Sequence, residues 1–419
     1  MRFNHLAALT GRFLSTIVVL CAFSAVVYSQ TDITLFNFAY NGTSGGGPIG
    51  PLVFDPEGNL YGVTIEGGAN CAPFGCGTVF KLTHTDDGWS QTELYVNFEG
   101  GISASPNGGL VFDSSGNLYG TSNINSVWKL SPTSQGPWTF TLLHQFSLPG
   151  DGNGPTTGVV LDEHGNIYGT TKQGGTGQSP ECFNSGCGTV FELTPGQDGQ
   201  YTETILYNFQ GSVVGDGSAP RGVILDAQGN LYGVTQTGGF GYQQSICDAD
   251  GCGTVYELSP TSGGQWKETQ LYVFQGGDDG SWPMSSLTRD AEGNFYGTTY
   301  SGGLKNYGTI FKLQNRQGQW KESAYSVWRF KGVNPGPGVV TLDNAGHLFA
   351  ETPYGPPNGN GMVFELNLSN GGFTLLDGFP NQASGTSVNG GVILRHGALF
   401  GVTEGGGQYN QGLAFEIVP

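Results

Sequence analysis

The sequence predicts an all-β fold: a seven-bladed β-propeller of four-stranded antiparallel blades, with the ring closed by the N-terminal strand. Three observations support this prediction. One motif recurs seven times, each recurrence holds four strand-like runs, and the strand missing at the C-terminus is present at the N-terminus. Radially repeated four-stranded sheets form a propeller, whereas an open solenoid would need caps at both ends.

The recurring motif is first seen as LVFDPEGNLYGVT at residues 52–64. Its copies are spaced about 57 residues apart, which is close to the length of a propeller blade. In the first unit the strand-like runs cover residues 52–54, 59–64, 78–82 and 92–98, and turn signals separate them. The residues in the Asn position of the motif are Asn59, Asn117, Asn166, Asn230, Asn294, His347 and Ala398.

These runs are rich in β-branched and aromatic residues, and no long apolar stripe of helical period appears. Gly62 and its equivalents in the other copies are expected to relieve crowding where neighbouring sheets approach closely.

The two ends of the chain predict how the ring closes. The last unit stops after LAFEIVP, which is its third strand. The run ITLFNF at residues 33–38 resembles ILYNF at residues 205–209, a fourth strand. We therefore expect the N-terminal run to complete the seventh blade and leave no open edge.

Composition narrows the possible partners. The formal net charge is −18, and no cluster of basic residues interrupts the acidity of the chain. This charge argues against nucleic acid and anionic membrane surfaces as partners. Residues 1–29 have the form of a signal peptide, with arginines before an apolar run and small residues at a cleavage site. A single membrane anchor is the alternative, although the run is short for a span. The prediction is an exported propeller over residues 30–419 (secreted, at the cell surface or in the periplasm), monomeric and without a membrane span.

The units resemble the GloVer tandem repeat of exported bacterial proteins, the choice-of-anchor repeat proteins. The hallmarks are GNLYG-T, then GG, then GCGTVF-L, and the resemblance spans about residues 33–419. It is strongest in the first, third and fourth units, while the second, sixth and seventh lose the cysteines and part of the loop. The resemblance implies export and a propeller-like array, and it brings no established reaction.

Cysteines occur as a pair in a unit or not at all. Each pair has four intervening residues and precedes the third strand, as in CAPFGCGTVFKL. A zinc site needs about four ligands, whereas each loop offers two and no histidine. We expect one disulfide within each loop, with zinc binding and redox chemistry as the alternatives. The pairs are Cys71 with Cys76, Cys182 with Cys187, and Cys247 with Cys252.

Aspartates mark two kinds of loop. Asp151, Asp216 and Asp279 begin an Asp-Gly-x-x-Pro motif in three connectors between blades. They form a candidate binding rim at the channel mouth, able to hold a hard cation or sugar hydroxyls, or they simply stabilise turns. In the Asp-x-x-Gly-Asn hairpins, calcium is a weaker alternative to a turn-capping role, because the dense series of oxygen ligands is missing. These residues are Asp55, Asp113, Asp162, Asp226, Asp290 and Asp343.

No catalytic set stands out. The string GTSGG at residues 42–46 lies in a glycine-rich connector and not at a strand-to-helix elbow. The predicted function is a non-catalytic binding module acting through one loop rim, with an extracellular carbohydrate or protein as ligand. No cofactor is expected, apart from a structural calcium ion as an alternative. Two other functions stay open: a propeller hydrolase or lyase acting on sugars or lactones, and a purely structural surface component.

Overall fold

The computed structural model describes residues 31–40, 44–68, 75–96, 98, 105–123, 125–134, 136–147, 150–155, 157–239, 247, 250–327, 338–355 and 359–419. The predicted signal peptide and Cys71 lie outside these residues. Within them, no helix is long and apolar enough to cross a membrane.

The first four blades are four-stranded antiparallel sheets in which each strand pairs with the next. The first blade holds β2 (Gly46–Phe54), β3 (Leu60–Glu66), β4 (Thr78–Thr85) and β5 (Gly88–Tyr95). The second holds β6 (Pro106–Phe112), β7 (Leu118–Ser122), β8 (Ser126–Ser131) and β9 (Thr139–Gln145). The third holds β10 (Val160–Leu161), β11 (Ile167–Thr171), β12 (Thr189–Pro195) and β13 (Tyr201–Asn208). The fourth holds β14 (Gly217–Leu225), β15 (Leu231–Gly238), β16 (Thr254–Pro260) and β17 (Trp266–Val273).

In the fifth and seventh blades the innermost strand is split into two short segments. The fifth holds β18 (Ser281–Pro283), β19 (Thr288–Arg289), β20 (Phe295–Ser301), β21 (Thr309–Arg316) and β22 (Gln319–Ser326). The sixth holds β23 (Thr341–Leu342), β24 (His347–Thr352), β25 (Met362–Asn367) and β26 (Gly372–Asp377). The seventh holds β27 (Thr386–Val388), β28 (Ile393–Arg395), β29 (Ala398–Gly405), β30 (Leu413–Val418) and β1 (Thr31–Asn37).

The N-terminal strand closes the ring. Strand β1 pairs antiparallel with β30, and Phe36 lies opposite Ala414 in this register. Phe38, just beyond β1, is fully buried against Leu52 and Phe80 of the first blade. The predicted fold class, blade number and closure are thereby confirmed.

The Asp-x-x-Gly-Asn hairpins form because one carboxylate satisfies several donors. Asp55 accepts hydrogen bonds from the backbone N–H of Asn59 at 2.8 Å, from its side-chain amide at 2.6 Å and from the hydroxyl of Tyr61 at 2.9 Å. Gly58 completes the turn with a φ of 92°. Although burial acts against ionisation, the hydrogen bonds from Asn59 and Tyr61 outweigh it and lower the pKa of Asp55. These oxygens are engaged within the turn, which confirms the capping role.

The glycine of the second strand is required for a different reason from the one that the sequence suggested. A side chain at Gly62 would lie 2.5 Å from the ring of Phe80, its cross-strand partner on β4 of the same blade. Gly169 meets the ring of Phe191 in the same way. The glycine therefore makes room for an aromatic ring within its own blade, and the expectation of close contact between neighbouring sheets was wrong.

The blades pack most closely around the axis, where their first strands meet. A side chain at Gly108 of β6 would lie 2.5 Å from the backbone of Thr157 and Gly158 in the third blade. A side chain at Gly50 of β2 would likewise lie 2.8 Å from the backbone of Gly108. The backbones of neighbouring first strands therefore approach so closely at these two positions that only glycine fits there.

Candidate functional site

The meander topology sorts the loops onto two rims. The loops between second and third strands share one rim with the connectors between blades, and we call it the disulfide-loop rim. The Asp-x-x-Gly-Asn hairpins lie on the opposite rim.

Two of the three predicted disulfides lie within the described residues. Cys182 is bonded to Cys187 and Cys247 to Cys252, with Cα–Cα distances of 4.9 and 5.3 Å. Because each sulfur is bonded to its partner in the same loop, zinc ligation by these four cysteines is ruled out in this oxidised form. Cys76 is also disulfide-bonded.

The disulfide loops of the third and fourth blades also contact the next blade. The carbonyl of Cys187 accepts a 2.9 Å hydrogen bond from the backbone N–H of Ala219, in β14 of the fourth blade. The carbonyl of Cys252 accepts an equivalent 2.9 Å bond from Trp282 in β18 of the fifth blade. The loops therefore connect neighbouring blades as well as closing on themselves.

The third-blade loop presents an aromatic ring to solvent. A short 3₁₀ helix, Pro180–Cys182, ends at Phe183, whose backbone is left-handed with a φ of 49°. The Phe183 side chain is 78% exposed. Glycine is the residue that tolerates this backbone conformation without strain.

Other exposed aromatic residues share this rim. Among the described residues, the exposed aromatic side chains are Phe183, Tyr300, Tyr354 and Tyr409. Three lie in loops between second and third strands, and Tyr300 lies at the rim end of β20. Trp282 lies near Tyr300, with ring centroids 6.4 Å apart. The rim therefore carries a discontinuous series of aromatic surfaces that the sequence had not singled out.

Two of the connector aspartates are hydrogen-bonded to tyrosines of the preceding blade. Asp216 accepts hydrogen bonds from the backbone N–H of Gln210 at 2.7 Å and from the hydroxyl of Tyr207 at 3.1 Å. Asp279 likewise binds the N–H of Gln275 and the hydroxyl of Tyr272, both at 2.8 Å. Both tyrosines belong to outermost strands, so turn stabilisation accounts for one oxygen of each carboxylate, whereas Oδ1 of Asp279 is buried without a hydrogen-bond partner. Whether this rim binds a ligand through Asp151, Asp216 and Asp279 stays a prediction.

Each connector aspartate interacts with a glutamate on the outermost strand of the following blade. Burial, followed by the nearby charge of Asp216, raises the pKa of Glu268 to about 7. Burial and the charge of Asp279 raise the pKa of Glu322 to about 8. The pKa of Glu203 also rises to about 8, through burial and its hydrogen bond with Asp151. Three consecutive blade junctions therefore contain a carboxyl pair that favours retention of a proton.

The junction between the second and third blades contains a group of side chains that could hold a metal ion. His144 occupies the position that Tyr207 and Tyr272 hold at the next two junctions. Its Nε2 lies 3.4 Å from Asp151 and 3.8 Å from Glu203, and the three ligand atoms lie within 4.8 Å of one another. The same carboxyl pair recurs at the other two junctions without a histidine, so the pair itself is a feature of the repeat.

A cavity of about 430 Å³ lies on the axis, lined by residues in or next to the first strands of all seven blades. Its walls are largely glycine backbone and aliphatic side chains, including Leu110, Val160 and Leu287. Of the described residues in this lining, Arg221 is charged and none is Asp, Glu or His. The lining therefore offers a cation and hydroxyl groups, but no carboxylate or imidazole.

Solved structures resemble this fold at low sequence identity. The protein YCF48 bound to D1 peptide is 10% identical with a TM-score of 0.52, covering 93% of this chain and 94% of its own. A candidate 6-phosphogluconolactonase from Bacteroides uniformis is 14% identical with a TM-score of 0.51, covering 82% and 88%. A puromycin-hydrolysing peptidase of Mycobacterium tuberculosis is 11% identical with a TM-score of 0.52, covering 84% of this chain and 49% of that one. These similarities show the fold alone.

No curated protein matches the chain in sequence. A family model, the Gloeobacter/Verrucomicrobia repeat, matches residues 23–183, 122–320 and 183–415. Those matches together span nearly the whole chain and include the seven motif copies. The chain therefore belongs to the Gloeobacter/Verrucomicrobia repeat family.

Proposed function

We propose that this protein is a non-catalytic binding module whose disulfide-loop rim binds a carbohydrate through exposed aromatic rings. The observation that carries the proposal is the placement of Phe183, Tyr300, Tyr354 and Tyr409 on one rim. Aromatic rings supply large contact areas at low conformational cost, and the tyrosine hydroxyls add hydrogen bonds. This function requires no cofactor.

The backbone at Phe183 supports the proposal independently. A non-glycine residue in the left-handed region costs about 1–2 kcal/mol, and an exposed phenyl ring recovers little of this by burial. Glycine would be the more stable choice at this position. A ring held there at the expense of stability is typical of a binding residue.

Export is part of the proposal. Disulfides form and persist in oxidising compartments, and the Cys182–Cys187 and Cys247–Cys252 bonds support a location outside the cytoplasm. The mature protein is expected to act as a monomer.

The alternative function, an enzyme at the channel mouth, would need acids or histidines converging there. The described residues that line the axial cavity include none of these side chains, and the enzyme therefore stays the second candidate.

A glycan array and a peptide library, each probed with the purified propeller, test the proposal. Phe183→Gly and Tyr354→Ala should each weaken glycan binding at least tenfold. The matched control is Leu142→Ala, because Leu142 is 50% exposed on the outer strand β9 and away from the rim. Binding of peptides alone would replace carbohydrate as the ligand class. Turnover of glycosides or lactones in a parallel substrate panel would overturn the non-catalytic assignment.

A further inference from the structure

The axial cavity contains a cation without a counterion. Arg221 of β14 lines the cavity, and its guanidinium donates one hydrogen bond, at 2.8 Å, to the side chain of Gln236. Its Nε is buried and has no hydrogen-bond partner. No carboxylate forms an ion pair with Arg221 in the described part of the chain. An unpaired guanidinium is unusual in a protein with a net charge of −18.

Burial and charge at Arg221 affect the pKa values of two basic side chains. Burial lowers the pKa of the guanidinium below its ordinary value. Burial, followed by the positive charge of Arg221, lowers the pKa of Lys172 as well. Two cations therefore repel each other here, and removing a guanidinium from water without pairing it is costly.

Two hydroxyl groups lie beside the same piece of backbone. Gly222 follows Arg221, and a side chain at Gly222 would contact the hydroxyls of Thr157 and Ser286. The Thr157 hydroxyl lies 3.4 Å from that hypothetical Cβ and, like Arg221 Nε, is buried without a partner. Both hydroxyl-bearing residues line the cavity. Arg221 and the two hydroxyl-bearing residues therefore contribute polar groups to the wall of the same cavity.

We propose that the axial cavity is a binding site for a small organic carboxylate, whose negative charge is held by Arg221 with Thr157 and Ser286. A guanidinium matches the planar geometry of a carboxylate and gains strength from the charge on both partners. The guanidinium of Arg221 balances the single negative charge of a carboxylate in a largely apolar cavity.

The rest of the cavity defines the body of the ligand. Its volume of about 430 Å³ lies in the range of small-molecule sites. Leu110, Val160, Ile224 and Leu287 contribute apolar walls, which favour an aromatic or aliphatic carboxylate over a polar one. This site is separate from the aromatic rim and does not rest on the carbohydrate proposal.

Calorimetric titration of the full-length mature propeller with benzoate, acetate and inorganic phosphate tests the site. Benzoate should bind most tightly, and Arg221→Gln should weaken its binding at least tenfold. Arg316→Gln is the matched control, because Arg316 is an exposed residue of the outer hairpin β21–β22. The milder Thr157→Val variant should weaken binding severalfold without removing the charge.

Thermal unfolding gives a second readout that does not depend on tight binding. Without ligand, Arg221→Leu should raise the melting temperature, because it removes an unpaired charge. Saturating benzoate should raise the melting temperature of the wild type and leave that of Arg221→Leu unchanged. Equal stabilisation of both proteins, equal benzoate affinity in Arg221→Gln, or no binding of any of the three anions by the wild type would overturn the proposal. Failure of the rim variants in the glycan array would leave it unaffected.

Discussion

The buried carboxyl group of Glu351 accepts a 2.7 Å hydrogen bond from the backbone N–H of Gly390, across the junction between the sixth and seventh blades. Glu351 lies on β24 and is 3% exposed, while Gly390 belongs to the wall of the axial cavity. Burial raises the pKa of Glu351 to about 7, although the N–H groups of Gly390 and Gly391 act in the opposite direction. A buried acidic side chain is thus hydrogen-bonded to the backbone of the channel wall.

This arrangement predicts a pH-dependent contribution to stability. The folded protein holds the Glu351 proton more tightly than the unfolded chain does, so its contribution is lost as pH rises from about 4.5 to about 7. At pH 8, Glu351→Gln should be more stable than the wild type by on the order of 3 kcal/mol, and at pH 4 the two should be similar. Urea unfolding at both pH values measures the difference. Glu57→Gln, at an exposed turn position, is the control, and an equal effect of both substitutions would contradict the prediction.

His144 should be replaceable by tyrosine but not by alanine. Tyr207 and Tyr272 fill the same position at the next two junctions and donate hydrogen bonds to their connector aspartates. His144→Tyr should therefore retain nearly the wild-type stability. His144→Ala leaves Asp151 without this partner and should cost about 1–3 kcal/mol. Equal losses in the two variants, measured by denaturant unfolding, would argue against equivalence of the three junctions.

Loss of a turn aspartate should destabilise its blade. Asp162 accepts hydrogen bonds from the backbone N–H groups of His164 and Asn166. It also accepts hydrogen bonds from the side-chain amide of Asn166 and from the hydroxyl of Tyr168. Asp162→Ala leaves these donors unpaired and should cost about 1–3 kcal/mol. Glu163→Ala changes an exposed neighbour in the same hairpin and should have little effect. Thermal unfolding of the two variants compares them directly, and equal melting temperatures would refute the capping role.

Removal of the third-blade disulfide should lower stability and loosen one blade junction. In the chain-entropy model a loop of this size contributes about 2 kcal/mol, so Cys182→Ser with Cys187→Ser should lose about that much. Hydrogen exchange at Ala219 should increase, because its N–H donates to the carbonyl of Cys187. Unchanged exchange at Ala219 would show that the contact between blades persists without the disulfide.

The pairing within each cysteine loop can be checked without mutagenesis. Mass spectrometry of unreduced peptides should show three local disulfides, including the predicted Cys71–Cys76 pair. Free thiols in the Cys71 loop would limit the disulfide prediction to the third and fourth blades.

The sequence by itself determined the features that are encoded locally and repeated. The hairpin of Asp162 and Asn166 and the loop of Cys182 and Cys187 each close within a few residues, so spacing and residue type are sufficient to predict them. Blade number and ring closure follow from counting such units and from the displaced strand β1. The repeat did not reveal why Gly62 is a glycine, because the ring that it accommodates lies on another strand.

Only the tertiary structure decided which side chains meet across blades. It brings Asp216 to Glu268, His144 to Glu203, and Gly222 to Thr157, each pair on different blades or connectors. It also joins Asp216 and Asp279 to tyrosines of the outermost strands and gathers exposed aromatic rings on one rim. The physical reason is that these contacts depend on how seven sheets twist and close into a ring. That geometry is a property of the whole chain, and no single repeat contains it.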